Sequence, residues 1–132
     1  KVDVVDVGAS VVLQIKIRIH AAIPFLVLGY LFKDRFGQPI YGTSTLQLGN
    51  PAHNLTSGEE LLYEYSFEAA IGEGTYSVST AITNSEAHYS KNYEWRDGAL
   101  FFQVINLTKP KFAGTTYLPT SQNTIRNEVE NG

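Results

Sequence analysis

The sequence predicts an all-β fold, built as a two-sheet antiparallel β-sandwich. Segments in which apolar and polar residues alternate recur along the chain, turn-forming Gly, Pro, Asn and Asp separate them, and no segment has a convincing helical period. The clearest pattern runs from Val11 to His20, where apolar residues occupy every second position. One face of this strand is therefore expected to join a core, while the other meets water or a ligand.

The neighbouring segments predict further strands. Lys1 to Val7 is Val-rich and is predicted to form a short peripheral strand. Phe25 to Phe32 is apolar on both faces, which is typical of a central strand covered on each side. A turn at Asp34 to Gly37 ends this strand and starts the next, because Gly37 can take a positive φ and Pro39, which lacks an N–H, suits a strand entry. These features predict a β-hairpin.

The middle of the chain repeats the pattern. Leu46 to Ser57 is rich in turn-forming residues and is expected to be a loop of about a dozen residues, a length often associated with function. Leu61 to Ala69 and Tyr76 to Thr83 alternate again, with a glycine turn at Gly72 to Gly74, so a second hairpin is predicted. Asn84 to Asn92 is polar and is expected to be another long loop.

The last third of the chain completes the predicted sandwich. Tyr93 to Asp97 and Ala99 to Ile105 are strand candidates, and the Asp97-Gly98 dipeptide between them fits either a tight turn or a bulge within one longer strand. Lys111 to Leu118 is predicted as a final strand, and Gln122 to Gly132 is expected to fray. The total of eight to nine strands is typical of an immunoglobulin-like or jelly-roll-like sandwich.

Composition narrows the class of protein. A chain of 132 residues with 43% hydrophobic content is long enough for one domain, residues 1–132, with its own core. The chain lacks Met, so it is expected to be part of a longer protein. The net charge of -3 is spread along the sequence and provides no basic stripe for nucleic acid. Nothing at the N-terminus resembles a signal peptide, no apolar run is long enough to span a bilayer, and the sequence has no Cys for disulfides.

The sequence contains no recognisable catalytic or metal-binding motif. His20, His53 and His88 are far apart and lack metal-ligand spacing, and there is no nucleophile elbow, P-loop or dinucleotide fingerprint. Glu64 and Glu68 share one strand face and could be paired carboxylates, but a solvated outer face is the favoured interpretation. We therefore expect a non-enzymatic domain without cofactor or metal, and a glycosidase is the least favoured class.

Two groups of residues could bind a sugar, because sugars stack on aromatic rings and hydrogen-bond to polar side chains. The first is an aromatic and polar cluster, in which Trp95 could instead belong to the core. The second is the polar face of the clearest strand, if that face adjoins the polar residues Ser77, Ser79 and Thr83. The candidate carbohydrate-binding residues are His88, Tyr89, Tyr93, Trp95 and Arg96 in the cluster and Gln14, Arg18 and His20, with Lys16 between them, on the face.

Four blocks of sequence resemble a known family. They are Phe32-x-Asp34-x-x-Gly37-x-x-Ile40-Tyr41-Gly42-Thr43-x-Thr45, then Gly58-Glu59-Glu60 before a strand, Gly72-x-Gly74-Thr75-Tyr76-Ser77-Val78-Ser79, and Trp95-Arg96-Asp97-Gly98-Ala99-x-x-Phe102-x-Val104. In this order, from about Val11 to Leu118, the chain resembles the C-terminal domain of Wzt-type ATPases. Most of these residues serve turns or packing, so the resemblance transfers the fold rather than a ligand motif.

The resemblance implies a function and a setting. In that family the domain follows the nucleotide-binding domain of an ABC transporter that exports O-antigen polysaccharide, and it is a β-sandwich that binds the glycan. It implies a cytoplasmic location at the inner face of the inner membrane, a transmembrane permease as partner through the parent chain, and a homodimer, in which Lys1 to Val7 could be exchanged between protomers. The alternative is an immunoglobulin-like structural or protein-interaction module that uses its loops or a sheet edge.

Overall fold

The computed structural model describes residues 4–83 and 92–127, and the side chains of residues 92–99 lie outside that description. The described chain forms strands and no helix, and it contains no helical segment that could cross a membrane. The predicted all-β class and strand number are confirmed. The eight strands are β1 (Val4–Asp6), β2 (Ser10–Arg18), β3 (Ile23–Lys33), β4 (Pro39–Ser44), β5 (Ala52–Leu55), β6 (Glu60–Glu68), β7 (Gly74–Thr83) and β8 (Asn92–Ile105).

The strands form two sheets of unequal size. The large sheet has six strands in the order β1-β8-β7-β3-β4, with β5 also paired to β3 beside β4. Of the described strands, the small sheet contains β2 and β6, which pair antiparallel over nine residues without a register shift. All pairings are antiparallel except that of β1, which runs parallel to β8 of the same chain.

Period-two patterning explains how the sheets face each other. On β2 and β6 the residues at odd positions are turned inward and those at even positions are exposed. These inward residues pack against the central strand β3 and against β7 of the large sheet. The buried cluster between the sheets contains Leu13, Leu28, Tyr30, Phe32, Tyr65 and Val78. Removal of this apolar surface from water is the main favourable contribution to the fold.

Two sequence predictions in the loops and at the end of the chain were wrong. The predicted loop from Leu46 to Ser57 contains β5, whose Ala52, His53 and Leu55 pair with β3. The predicted last strand from Lys111 to Leu118 forms only an isolated bridge between Ile71 and Thr116. Phe112 and Tyr117 of this segment instead pack against the buried cluster of Val7, Tyr76 and Val104.

The Asp97-Gly98 dipeptide lies within β8 and does not form a hairpin turn. Val78 of β7 pairs with Leu100, and Thr80 pairs with Arg96, so β8 contains extra residues opposite Ser79. The bulge alternative is therefore the correct one. A bulge bends the strand while the ladder continues on both sides, which keeps β8 as one strand of 14 residues.

Candidate functional site

Gln14 and Arg18 lie on the exposed outer face of the small sheet, and His20 lies just beyond β2. The Gln14 side-chain amide donates to a carboxylate oxygen of Glu64 across the strand pair at 2.8 Å. Arg18 and Lys16 both lie near the Glu60 carboxylate, at 3.7 and 3.4 Å. These ion pairs are exposed and add little to stability. The predicted polar face thus exists, but its groups largely satisfy one another.

The polar face of β2 does not adjoin Ser77, Ser79 and Thr83, so the condition attached to this candidate site is not met. Those residues belong to β7, which lies in the large sheet, whereas Gln14 and Arg18 belong to the small sheet. The inward residues of β7 are Tyr76 and Val78, so Ser77 and Ser79 point to the opposite outer surface of the sandwich. Ser79 is also only 1% exposed, so it contributes little to any surface.

The predicted aromatic cluster is described only in part. His88 and Tyr89 lie outside the described residues. Tyr93, Trp95 and Arg96 lie on β8, where Trp95 pairs with Ala81 and Arg96 with Thr80, but their side chains are not described. Whether Trp95 belongs to a core or to a binding surface therefore stays a prediction.

A groove on the outer face of the large sheet brings Ser77, which the sequence analysis had named as a possible neighbour of the β2 face, together with residues that it had not selected. The groove has a volume of about 570 Å³ and is lined by Lys33, Thr75, Ser77 and Phe101, with the Asp34 to Gly37 hairpin at one end. The ladder aligns these residues, because Ser77 pairs with both Lys33 on β3 and Phe101 on β8. Phe101 is 62% exposed, so an aromatic ring is presented beside hydroxyl and ammonium groups.

One sequence signal could have revealed Phe101. It is followed directly by Phe102 in a strand, and successive strand residues point to opposite faces, so only one of the two rings can join the core. The core receives Phe102, which packs against Phe32 at a ring separation of 5.6 Å. The Phe101 ring is therefore left on the outer face, where the paired strands place Ser77 and Lys33 beside it.

The hairpin at the end of the groove is held by local hydrogen bonds. One carboxylate oxygen of Asp34 accepts bonds from the backbone N–H groups of Phe36 and Gln38, both at 2.9 Å. Gly37 adopts a φ of 81°, as the sequence predicted for this turn. The Arg35 guanidinium lies 4.7 Å from the centre of the Phe36 ring. The end wall is thus a firmly structured turn with an Arg and an exposed aromatic ring.

A larger cleft of about 680 Å³ opens where β1 and β2 approach each other, and it has a different chemistry. Its walls are mainly apolar and include Leu13, Phe67, Leu100 and Phe102. Such a surface offers few partners for the hydroxyl groups of a sugar. It is therefore a poorer carbohydrate site than the outer groove.

The described titratable groups with shifted pKa values are tyrosines buried between the sheets and one carboxylate that accepts hydrogen bonds from a turn. Burial raises the pKa of Tyr30 and of Tyr65 to about 12. The pKa of the Asp6 carboxylate is lowered, chiefly because it accepts a hydrogen bond from the Leu107 N–H at 2.8 Å and also one from the Thr108 hydroxyl. These bonds fasten β1 to the turn after β8. Within the described part of the chain, no three acidic or His side chains converge as a metal site would require.

Comparisons with known proteins identify the family. The family model of the Wzt C-terminal domain matches residues 1–118. A solved structure described as the C-terminal domain of Wzt superposes with a TM-score of 0.78 at 18% sequence identity, covering 91% of this chain and 72% of the other. At this identity the structural likeness shows the fold alone, and no curated protein matches the chain. By the family match, the chain belongs to the Wzt C-terminal domain family, whose members are parts of ABC transporter proteins.

Proposed function

We propose that this domain binds polysaccharide without chemical reaction, through the outer groove of the large sheet. The observation that supports the proposal best is the exposed ring of Phe101 beside Lys33, Thr75 and Ser77. Sugar rings stack their C–H faces on aromatic side chains and hydrogen-bond to hydroxyl and charged groups, so both kinds of group are needed in one concavity. The groove provides both, and its volume lies within the range of small-ligand sites.

The outer face of the small sheet is a weaker candidate. Among its described residues, the exposed apolar groups are the aliphatic Val12 and Leu62, and no aromatic ring is presented. Gln14 and Arg18 already bond or pair with glutamates of β6. Binding there would require these contacts to be exchanged for sugar contacts, which reduces the net gain.

The wider proposal follows from family membership. The domain would recognise an O-antigen glycan and so give an ABC exporter its substrate selectivity, while a nucleotide-binding domain elsewhere in the parent chain hydrolyses ATP. It would act in the cytoplasm at the inner face of the inner membrane, next to the transmembrane permease. A homodimer would place two shallow sites on one polymer and increase the apparent affinity by avidity.

The test is a calorimetric titration of the domain with the O-polysaccharide of its source organism and with unrelated glycans. Phe101→Ala should weaken binding of the cognate polymer about two- to tenfold, because an aromatic stacking contact contributes roughly 0.5–1.5 kcal/mol. Arg18→Ala is the matched control on the other sheet and should leave affinity unchanged. Tyr93→Ala and Trp95→Ala test the predicted aromatic cluster in the same assay.

Each outcome separates the alternatives. Equal affinity for cognate and unrelated polymers would overturn the selectivity proposal. Loss of binding in Arg18→Ala together with normal binding in Phe101→Ala would move the site to the small sheet. If Trp95→Ala unfolds the domain, as judged by circular dichroism, Trp95 belongs to the core and is removed from the candidate site.

A further inference from the structure

Among the described strands, β6 has β2 as its partner, so the small sheet has a free edge along the other side of β6. In an antiparallel ladder the backbone groups of alternate residues face the partner strand. At the two ends of this pair, the Glu59 carbonyl accepts from the Ile19 N–H and the Ala69 N–H donates to the Ala9 carbonyl, so odd-numbered residues face β2. The register runs between these ends without a shift. The N–H and C=O groups of even-numbered residues on β6, such as Leu62 and Glu64, therefore point away from β2.

A cleft of about 470 Å³ lies along this edge. One wall is β6 from Leu61 to Tyr65, and the other is the connection from Thr45 to Ala52. Leu48 and Leu62 are 60% and 58% exposed, so apolar side chains border the cleft. In the described part of the chain, no backbone hydrogen bond joins the two walls. The free edge of β6 therefore borders an open cleft with exposed apolar side chains.

The opposite wall is a fixed structure and does not cover the edge. The Thr45 hydroxyl accepts from the Leu28 N–H at 3.1 Å, and the Thr45 carbonyl accepts from the Asn50 N–H at 2.7 Å. The Leu48 N–H also donates to the Ser44 carbonyl at 3.0 Å. These bonds hold the connection to β3 and to itself. They leave the backbone of β6 as the unpaired side of the cleft.

Charge indicates what kind of strand fits this edge. The exposed face of β6 presents Glu60, Glu64 and Glu68 in one row. If β6 paired with β6 of a second copy, each row would oppose the other, and like charges directly across a strand pair are destabilising. Glu60 is already paired with Lys16 and Arg18, and Glu64 accepts from Gln14, on the β2 side; among the described residues Glu68 has no such partner, so a basic group from the other side would be an additional partner for the row. A foreign strand with Lys or Arg at alternate positions fits the same row from the other side.

We propose that the free edge of β6 binds an extended peptide segment of a protein partner by strand addition. Its backbone would pair with Leu62, Glu64 and Ser66, its basic side chains would lie beside the row of glutamates, and its intervening apolar side chains would enter the cleft. The site is separate from the outer groove, and the proposal does not depend on glycan binding. Pairing of β6 with β6 of a second copy is disfavoured by the repulsion described above.

The experiment uses two synthetic probe peptides. One alternates valine and lysine, the other alternates valine and glutamate, and both carry a fluorophore and blocked termini. At low ionic strength the lysine peptide should bind, as measured by fluorescence anisotropy, and should slow amide hydrogen exchange of Leu62, Glu64 and Ser66. Absence of binding, equal binding of both peptides, or exchange protection confined to other strands would overturn the proposal.

Leu62→Pro tests the backbone directly. Its N–H points away from β2, so proline removes a hydrogen bond to the peptide but none in the β2–β6 ladder. Affinity for the lysine peptide should fall about three- to tenfold relative to Leu62→Ala, which loses the same apolar side chain but keeps the N–H. Equal affinities of the two folded variants would exclude strand addition. A mass in solution that rises with concentration, and falls in Leu62→Pro, would identify a second copy as the occupant and also overturn the proposal.

Discussion

Two tyrosines on β6 provide a matched test of how buried hydroxyl groups contribute to this fold. Tyr65 donates from its hydroxyl to the backbone carbonyl of Leu28 at 2.7 Å, and its side chain is almost fully buried. The Tyr63 hydroxyl, two residues earlier on the same inward face, is buried and has no hydrogen-bond partner among the described residues. Phenylalanine at either position removes one oxygen atom and preserves the ring. The two substitutions therefore differ mainly in the bond that is lost.

The magnitude for Tyr65→Phe follows from the acceptor. The Leu28 carbonyl also accepts from the Thr45 N–H at 2.9 Å, so it keeps one partner when the hydroxyl is removed. The cost should therefore be that of one ordinary hydrogen bond, about 1 kcal/mol, rather than the larger cost of an entirely unsatisfied group. Tyr63→Phe removes a buried polar atom that gains nothing in the folded state. The free energy of unfolding of the Tyr63→Phe variant should be unchanged or slightly increased.

The assay is urea unfolding of the wild type and both variants, followed by far-ultraviolet circular dichroism. If the slope m is constant, a change in the midpoint reports stability alone. At this chain length a loss of about 1 kcal/mol corresponds to a decrease in Tm of roughly 2–6 °C. A neutral Tyr65→Phe would show that the bond to Leu28 contributes nothing. A destabilised Tyr63→Phe would show that its hydroxyl has a partner in solution, such as water.

Two further predictions concern how the ends of the chain are attached. Gly72→Ala should destabilise the domain strongly and release the segment around Gly114 to proteolysis, because an added Cβ would lie 2.1 Å from the Gly114 carbonyl oxygen; normal Tm and protease resistance would contradict this. Asp6 has a lowered pKa, so its stabilising effect is complete above the pKa of the unfolded chain and is lost as the pH falls through the folded value. The difference in stability between wild type and Asp6→Asn should therefore shrink in acid unfolding curves below about pH 4.

The sequence predicted the elements of this fold better than their pairing. Alternation in β2, β6 and β7 identified the strands and their inward residues, because a half-buried strand must alternate. The alternation of apolar and polar residues does not indicate which sheet a strand joins. The polar face of β2 and the serines of β7 look alike in sequence but lie on opposite surfaces of the sandwich. The sequence alone therefore could not decide whether these two polar surfaces adjoin.

The candidate groove was missed because register created it. Lys33, Ser77 and Phe101 are far apart in the chain, and each looks like an ordinary strand residue. They become neighbours because β7 pairs with β3 on one side and with β8 on the other. The bulge in β8 contributes as well, because it sets which β8 residue lies opposite each residue of β7. A single sequence does not reveal which residues of neighbouring strands lie opposite each other.

The two proposed sites lie on different sheets. The outer groove lies on the large sheet, where every strand that lines it has neighbours, so a rigid surface presents Phe101 to a ligand. The free edge lies on the small sheet, where β6 has β2 as its partner among the described strands and retains unused backbone groups. Phe101→Ala and Leu62→Pro alter different sheets and share no contacts, so their effects on glycan and peptide binding should be independent. An effect of either variant on the other ligand would instead indicate coupling through the core between the sheets.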